Sequence, residues 1–389
     1  MKVKLRDVCD FYSGTGFPSE FQGETKGQFP FYKVGDISKN VLLGQRRLTF
    51  SENYVDMDVI NKIKGTIVPA NTVVFAKIGE ALKLNRRAIT NCECLIDNNT
   101  IGIKAKTMYI RTLYFYYFMC NLDMQKFAES TTVPSVRKSK LMDISIILPT
   151  LDEQQRIEKV LDQINDIIVN RQKQLKKLDE LVKSRFIEMF GTFPENSKNW
   201  TICTIKEIVS DVRYGTSRAS VDGGKYPYLR MNNITYDGEL DLTDLKYIDI
   251  PDKELEKCTV KCGDVLFNRT NSKELVGKTC VYNRNDTMVL AGFIIRIRVN
   301  ENILPVFLAM FLNMDFSKTM LKEMCKSAIG QANINATELQ KIRIILPPIE
   351  LQEEFVEFKN QTDKSKLEIE KSLDKLEILK KSLIQKYFG

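Results

Sequence analysis

The 389-residue chain contains no histidine. That absence removes Ser-His-Asp and Cys-His nucleophilic systems and every His-containing metal site, and leaves acid–base chemistry near neutral pH to a tuned Glu, Asp, Lys or Cys. A catalyst is therefore disfavoured. Glycine (19) and proline (11) are too sparse for a low-complexity or fibrous chain. No apolar run approaches the roughly 20 residues that span a bilayer; the greasiest stretches, 113–120 and 306–312, are short. The start, Met1-Lys-Val-Lys-Leu-Arg-Asp, has no apolar signal core, so no membrane association and a cytoplasmic location are expected. Nine cysteines, an odd number, suit buried free thiols in a reducing compartment better than a disulfide framework.

Several short motifs also fall short of the chemistry they suggest. Gly277-Lys278-Thr279 resembles the end of a phosphate-binding loop, but Ser272 stands where the motif requires glycine, so a turn or a DNA phosphate contact is the better reading. Cys92-x-Cys94 and Cys258-x3-Cys262 lack zinc spacing and have no histidine to complete them. Ser13-Gly14-Thr15-Gly16 lacks the third glycine of a dinucleotide fingerprint and reads as a flexible turn. No Asn-Pro-Pro-aromatic tetrapeptide of the amino-methyltransferase kind occurs.

What the chain does contain is a repeat. Ile144-Ser-Ile-Ile-Leu-Pro-Thr-Leu-Asp-Glu-Gln returns as Ile342-Arg-Ile-Ile-Leu-Pro-Pro-Ile-Glu-Leu-Gln at an offset of 198, and the offset holds without a gap to Phe190-Gly191 and Phe388-Gly389. Between them lie two stretches free of Pro and Gly, each opening after a proline and closing on a glycine, which predicts two long helices. Ile157, Leu161, Ile164, Ile168, Leu175, Leu178 and Val182 in the first, and Ile369, Leu373, Leu376, Leu383 and Tyr387 in the second, recur in steps of three and four, the pattern of a coiled-coil seam. Arg171, Arg185 and Lys380 interrupt it. At 1.5 Å per residue each helix would run about 60 Å, longer than one ~34 Å turn of duplex DNA. Two repeats paired through equivalent helices are expected to be related by a pseudo-twofold axis.

Ahead of each helix the segments echo one another more weakly. Phe29-Pro-Phe-Tyr-Lys-Val-Gly-Asp-Ile resembles Tyr226-Pro-Tyr-Leu-Arg-Met-Asn-Asn-Ile, and Val68-Pro-Ala-Asn-Thr-Val-Val-Phe resembles Val260-Lys-Cys-Gly-Asp-Val-Leu-Phe; these short runs read as strands and turns. The fold class is therefore α+β: two homologous globular domains, residues 1–150 and 192–348, joined by two long antiparallel coiled-coil helices, 151–191 and 349–389.

Charge separates the helices from the domains. Residues 151–191 hold 8 basic and 8 acidic residues, and 349–389 hold 8 and 9, so the helices carry −1 of the net +8 and the domains +9, with 21 basic against 14 acidic in residues 1–150 and 21 against 19 in 192–348. Gln45, Arg46, Arg47, Lys77, Lys83, Asn85, Arg86 and Arg87 in the first domain lie in turns beside predicted strands. In the second domain the candidates are Arg213, Thr216, Ser217, Arg218, Arg230, Asn232, Asn233, Asn268, Arg269, Asn271 and Lys273. Arginine grips guanine, and Asn or Gln adenine, through paired hydrogen bonds, while lysines and hydroxyls contact phosphates and set register.

Two divergent strand-rich domains, each followed by a Leu-Pro-x-x-x-x-Gln element, Leu148 to Gln154 and Leu346 to Gln352, and by a long helix, resemble the specificity subunits of type I restriction-modification systems over essentially the whole chain. Val260 to Phe267, Gly277-Lys278 and Gly330-Gln331-Ala-Asn333-Ile334 look like recurring signatures of target recognition domains, which adds Lys278, Gln331 and Asn333 to the candidate DNA-binding residues. The first domain departs here, with Thr132-Val-Pro-Ser in place of the Gly-Gln-x-Asn run. The resemblance implies two inverted recognition domains that read a two-part asymmetric site in double-stranded DNA. It further implies two modification subunits, which use S-adenosylmethionine to methylate a flipped adenine in each half-site, and restriction subunits that cleave DNA with ATP. It assigns no catalytic residue, metal or cofactor to this chain. A coiled-coil scaffold with two anion-binding domains is the alternative, separable by salt-dependent and sequence-selective duplex binding; an enzyme is the third reading, testable by methyl transfer from the chain alone.

Overall fold

The computed structural model describes residues 1–129, 133–325 and 332–389. The chain divides into two compact units, one formed by Met1–Gln174 with Ile369–Gly389 and the other by Leu175–Glu368. This differs from the four segments expected from sequence, because each long helix contributes one part to each unit.

In the first unit a five-stranded sheet runs in the order Cys9–Ser13, Thr100–Ala105, Val73–Ala76, Arg87–Thr90 and Arg47–Leu48, antiparallel except at its last pair. A three-stranded sheet places Phe29–Tyr32 between Tyr54–Val55, antiparallel, and Leu95–Ile96, parallel. Lys2–Lys4 pairs with Ser145–Ile147. The second unit repeats this plan. Val209–Tyr214, Ile294–Val299, Val265–Asn268 and Thr279–Val281 form an antiparallel sheet; Tyr226–Leu229 lies between Lys246–Ile248, antiparallel, and Val289–Leu290, parallel; Thr201–Thr204 pairs with Arg343–Leu346.

The weak sequence echoes mark this shared frame. Val73–Ala76 and Val265–Asn268 are buried at every position, which explains why both are continuous rather than alternating apolar runs. The turn before each strand uses a left-handed residue, Asn71 (φ 63°) and Gly263 (φ 92°), the two residue types that adopt that conformation at least cost.

The two predicted helices are continuous over Leu151–Phe190 and Ile349–Phe388. Gly191 (φ 80°) ends the first, its amide bonding to the Ile187 carbonyl at 2.7 Å. All twelve residues read as seam are buried or half-buried. Within the first unit Lys380 donates to Asn165 at 3.0 Å, and Ile157 and Leu161 share a core with Leu383, Ile384, Tyr387 and Phe388. Within the second unit Lys366 pairs with Asp179 at 2.7 Å and Arg185 with Glu354 at 2.9 Å, so numbers rise along one helix as they fall along the other. The packing is antiparallel in each. The helix ends are part of the globular cores: Phe186 and Phe190 pack against Phe307 of the second domain, and Phe355 packs edge-on against Phe186 at 5.3 Å and Phe190 at 5.7 Å. Residues 349–368 carry this packing through Phe355 and through Gln352 and Thr362, none of which belongs to the predicted seam.

The repeated glutamine has a structural explanation. Gln154 is fully buried; its side chain donates to the carbonyls of Tyr109 (2.9 Å) and Pro149 (3.1 Å) and accepts from the Arg111 amide (2.9 Å). Gln352 repeats the pattern, donating to Asn302 (3.2 Å) and Pro347 (2.9 Å) and accepting from Leu304 (2.9 Å). Each glutamine thus caps the N-terminus of a domain helix, Thr112–Asn121 or Pro305–Asn313, whose own first residues supply no side-chain cap.

Candidate nucleic-acid interface

In each domain two backbone segments cross at the end of the main sheet and create a rim. In the second domain Val209–Tyr214 continues into Gly215 and Thr216, which lie against the strand Val289–Leu290. Thr216 bonds to the Leu290 carbonyl (2.8 Å) and Gly292 to the Thr216 carbonyl (2.7 Å). A Cβ on Gly215 would stand 2.2 Å from the Leu290 oxygen, so only glycine admits this approach. The first domain has the same crossing: the Thr15 amide bonds to the Ile96 carbonyl (2.9 Å), and a Cβ on Gly14 would meet the Asp97 oxygen at 1.7 Å. The Ser13-Gly14-Thr15 segment, read from sequence as a flexible turn, is instead fixed by this contact.

Beside the crossing stands Arg269, which follows strand Val265–Asn268. Its amide bonds to Phe293 and its carbonyl to Ile334, both at 2.9 Å. Its guanidinium carbon lies 4.9 Å from the centre of the Tyr214 ring, a cation–π arrangement that presents a cation on an aromatic platform. Thr270–Asn271 pairs with Ala332–Asn333, and the Thr270 hydroxyl donates to the Asn333 side-chain Oδ1 at 3.0 Å. The rim thereby gathers Tyr214, Ser217, Arg269, Asn271, Phe293 and Asn333, with Tyr214 and Phe293 nearly half exposed at 43% and 48%. A half-buried cation whose guanidinium also reaches the Gly292 carbonyl (3.4 Å), amides and two aromatic rings are a set able to bond base edges and stack on bases.

Lys77 occupies the equivalent position in the first domain. Its amide bonds to Asn99 (2.8 Å) and its carbonyl to Val136 (2.9 Å), and Ile78 bridges Ser135 as Thr270 pairs with Asn333. The backbone frame is common to both domains although Thr132-Val-Pro-Ser replaces the Gly-Gln-x-Asn run. Ser13, Lys77, Asn99 and Ser135 therefore stand where Tyr214, Arg269, Phe293 and Asn333 stand in the second. Arg86, half-buried, reaches the same sheet end, because Phe75 pairs with Arg87.

The remaining sequence candidates lie elsewhere or are held internally. Arg87 is 2% exposed and donates to Asn85 and to the Leu122 carbonyl (2.9 Å), and Asn85 (φ 54°) donates to the same carbonyl at 3.0 Å; both hold the domain together. Arg46 turns onto the first long helix, pairing with Asp162 and with Asp166 (3.1 Å), while Arg47 donates to Asn71 (3.0 Å), Gln45 accepts from Thr49 (2.6 Å) and Lys83 pairs with Glu80 (2.6 Å). In the second domain Arg213 pairs with Asp211, Arg218 with Glu254 and Arg230 with Asp244. The hydrogen bond from Arg218 to Glu254 lowers that carboxyl below its usual range. Asn233 and Asn268 are buried; Asn233 bonds to the Asp241 carbonyl, and Asn268 accepts from Asn271. Lys278 is buried with its ammonium on the Met231 carbonyl (2.8 Å), and burial lowers its pKa, so this lysine serves the fold rather than a phosphate. Thr216 is buried at the crossing, whereas Asn232 and Lys273 are exposed. Gln331 lies outside the described residues.

Tyr214, Phe293, Asn99 and Ser135 escaped sequence reasoning. One signal was present: Ser13-Gly14-Thr15 and Tyr214-Gly215-Thr216 share the same Gly-Thr, and aligning them would have placed both rims.

Residues 1–180 and 197–380 each match the family described as the type I restriction modification DNA specificity domain. The chain belongs to this family. It holds two copies of the specificity domain, and their shared frame is the duplicated sheet plan described above. Over 202 residues, 51% of this chain and 47% of the relative, it is 32% identical to the putative type I restriction enzyme MjaX specificity subunit of Methanocaldococcus jannaschii. It is 22% identical over 265 residues to the type I restriction enzyme EcoKI specificity subunit of Escherichia coli (63% of this chain, 57% of the relative). These matches span about half the length of those relatives. A match to the MjaVIII specificity subunit of M. jannaschii covers 96% of this chain and 90% of the relative at 25% identity. Among solved structures, the S subunit of a type I restriction-modification system from M. genitalium aligns over 100% of this chain and 96% of that chain, with a TM-score of 0.53 and 14% identity, a likeness of fold. No helix among the described residues is long and apolar enough to cross a membrane.

Proposed function

We propose that this chain is the DNA specificity subunit of a type I restriction-modification complex, a non-catalytic reader whose two domains each recognise one half of a bipartite asymmetric site. The observation that carries the reading is the rim built twice on one backbone frame with different side chains: Ser13, Lys77, Asn99 and Ser135 in one domain, Tyr214, Arg269, Phe293 and Asn333 in the other. A constant frame with variable side chains suits two readers of unlike sequences, since base edges are distinguished by the donors and acceptors placed against them. The long helices set the spacing between half-sites and dock two modification subunits. Those subunits hold S-adenosylmethionine and methylate adenine; ATP-dependent restriction subunits join the same complex, and all act in the cytoplasm. The chain itself contributes binding and positioning.

Co-expression with its modification subunit, followed by mapping of methylated adenines across a genome, tests this. Replacing residues 192–348 by the corresponding domain of another family member is expected to change one half of the mapped site and leave the other intact. A change in both halves, or methyl transfer by the purified chain alone, overturns the reading.

A further inference from the structure

The connection between the first two strands of the small sheet reaches a long helix in both units, and it does so with opposite charge. In the first unit the connection from Phe29–Tyr32 to Tyr54–Val55 carries Arg46, whose guanidinium pairs with Asp162 and with Asp166 (3.1 Å) and donates to the Tyr117 hydroxyl (2.9 Å). In the second unit the connection from Tyr226–Leu229 to Lys246–Ile248 carries Glu239, whose carboxylate lies 3.9 Å from Lys366 of the other helix. Lys366 is held in turn by Asp179 at 2.7 Å.

The 198-residue offset shows what each domain would meet on the other's helix. Asp162 and Asp166 correspond to Asn360 and Lys364, and Lys366 corresponds to Ile168. Arg46 transferred to the second position would face an amide and an ammonium in place of two carboxylates, and Glu239 transferred to the first would face an isoleucine. We propose that these contacts are a charge key that matches each recognition domain to the helix it packs on, with Arg46 and Glu239 acting as positioning residues. The key rests on the duplicated architecture and not on DNA binding.

Two substitutions in the full-length chain, Asp162→Asn and Asp166→Lys, write the second helix's residues into the first. Hydrogen exchange of residues 44–49, read by mass spectrometry without DNA, is expected to rise about tenfold, since a partly buried arginine then faces a like charge. Adding Arg46→Met removes the repulsion and is expected to bring exchange back to that of Arg46→Met alone, while Arg46→Lys in the natural background keeps part of the protection. Strictly additive effects, or unchanged exchange, overturn the proposal and leave the DNA-reading role untouched. A chain with residues 1–150 in both positions supplies a second test. Its second copy is expected to exchange faster at the same loop until Asn360→Asp and Lys364→Asp are introduced, and no recovery on adding them counts against the key.

Discussion

Replacing Gln352 with alanine strips three hydrogen bonds from a fully buried side chain. The Leu304 amide loses its acceptor, and the carbonyls of Asn302 and Pro347 lose their donor. Each buried group left without a partner costs about 1–3 kcal/mol, and with partial relaxation the sum comes to about 3 kcal/mol. For a unit of this size that loss corresponds to a fall in melting temperature of roughly 6–12 °C. Calorimetry and urea unfolding of the intact chain read it directly, with Gln361→Ala as the control: Gln361 is exposed on the same helix, and its replacement is expected to shift stability by less than about 0.5 kcal/mol. Gln154→Ala should behave like Gln352→Ala, because it severs the same three kinds of bond in the first unit. If Gln352→Ala proves no more harmful than Gln361→Ala, the glutamine is not what ties the long helix to the domain, and the explanation given for the repeated motif fails.

Three further outcomes are expected. Arg269→Ala should weaken binding of duplex containing the second half-site by about 1–3 kcal/mol in fluorescence anisotropy at fixed salt, whereas Arg213→Ala, whose guanidinium is held by Asp211, should change it little; equal losses would contradict the placement of the rim. Gly215→Ala should destabilise the second domain by several kcal/mol, roughly the cost of forcing strained backbone apart, since the new carbon would stand 2.2 Å from the Leu290 oxygen; a wild-type urea midpoint would refute the close crossing. Lys318 is buried, donates to the Gly277 carbonyl (2.9 Å), and burial pushes its ammonium down to about 7 from an ordinary 10.5. Between those values the unfolded chain holds a proton that the folded chain lacks, so this group makes stability rise with pH across that window and contributes no slope below it. Lys318→Met should remove that part of the slope between pH 7 and 10, and unfolding curves of the two proteins that stay parallel across the range would disprove it.

Some features were legible because they depend on local order along the chain. The long helices, their ends at Pro149 and Gly191, and the duplication at offset 198 follow from periodicity and from the backbone demands of proline and glycine. The strand runs around Val73 and Val265 were readable for the same reason. The site was less accessible. Arg46, Arg87, Arg213 and Arg269 look alike in sequence. One pairs with the helix carboxylates, one is sealed among carbonyls, one is tied to Asp211 and one is spread on Tyr214.

Two related strand-rich domains and two long helices can be read along the chain, because hydrophobic spacing and turn residues act between near neighbours. Which cations stay accessible, that the helix ends belong to the domain cores, and that Ser13 and Tyr214 occupy matching places emerge from the folded arrangement. The fate of a charged side chain is set by carboxylates and carbonyls that arrive from tens or hundreds of residues away, as Asp162 does for Arg46. No local pattern in the chain records that approach, and burial is a property of the folded whole.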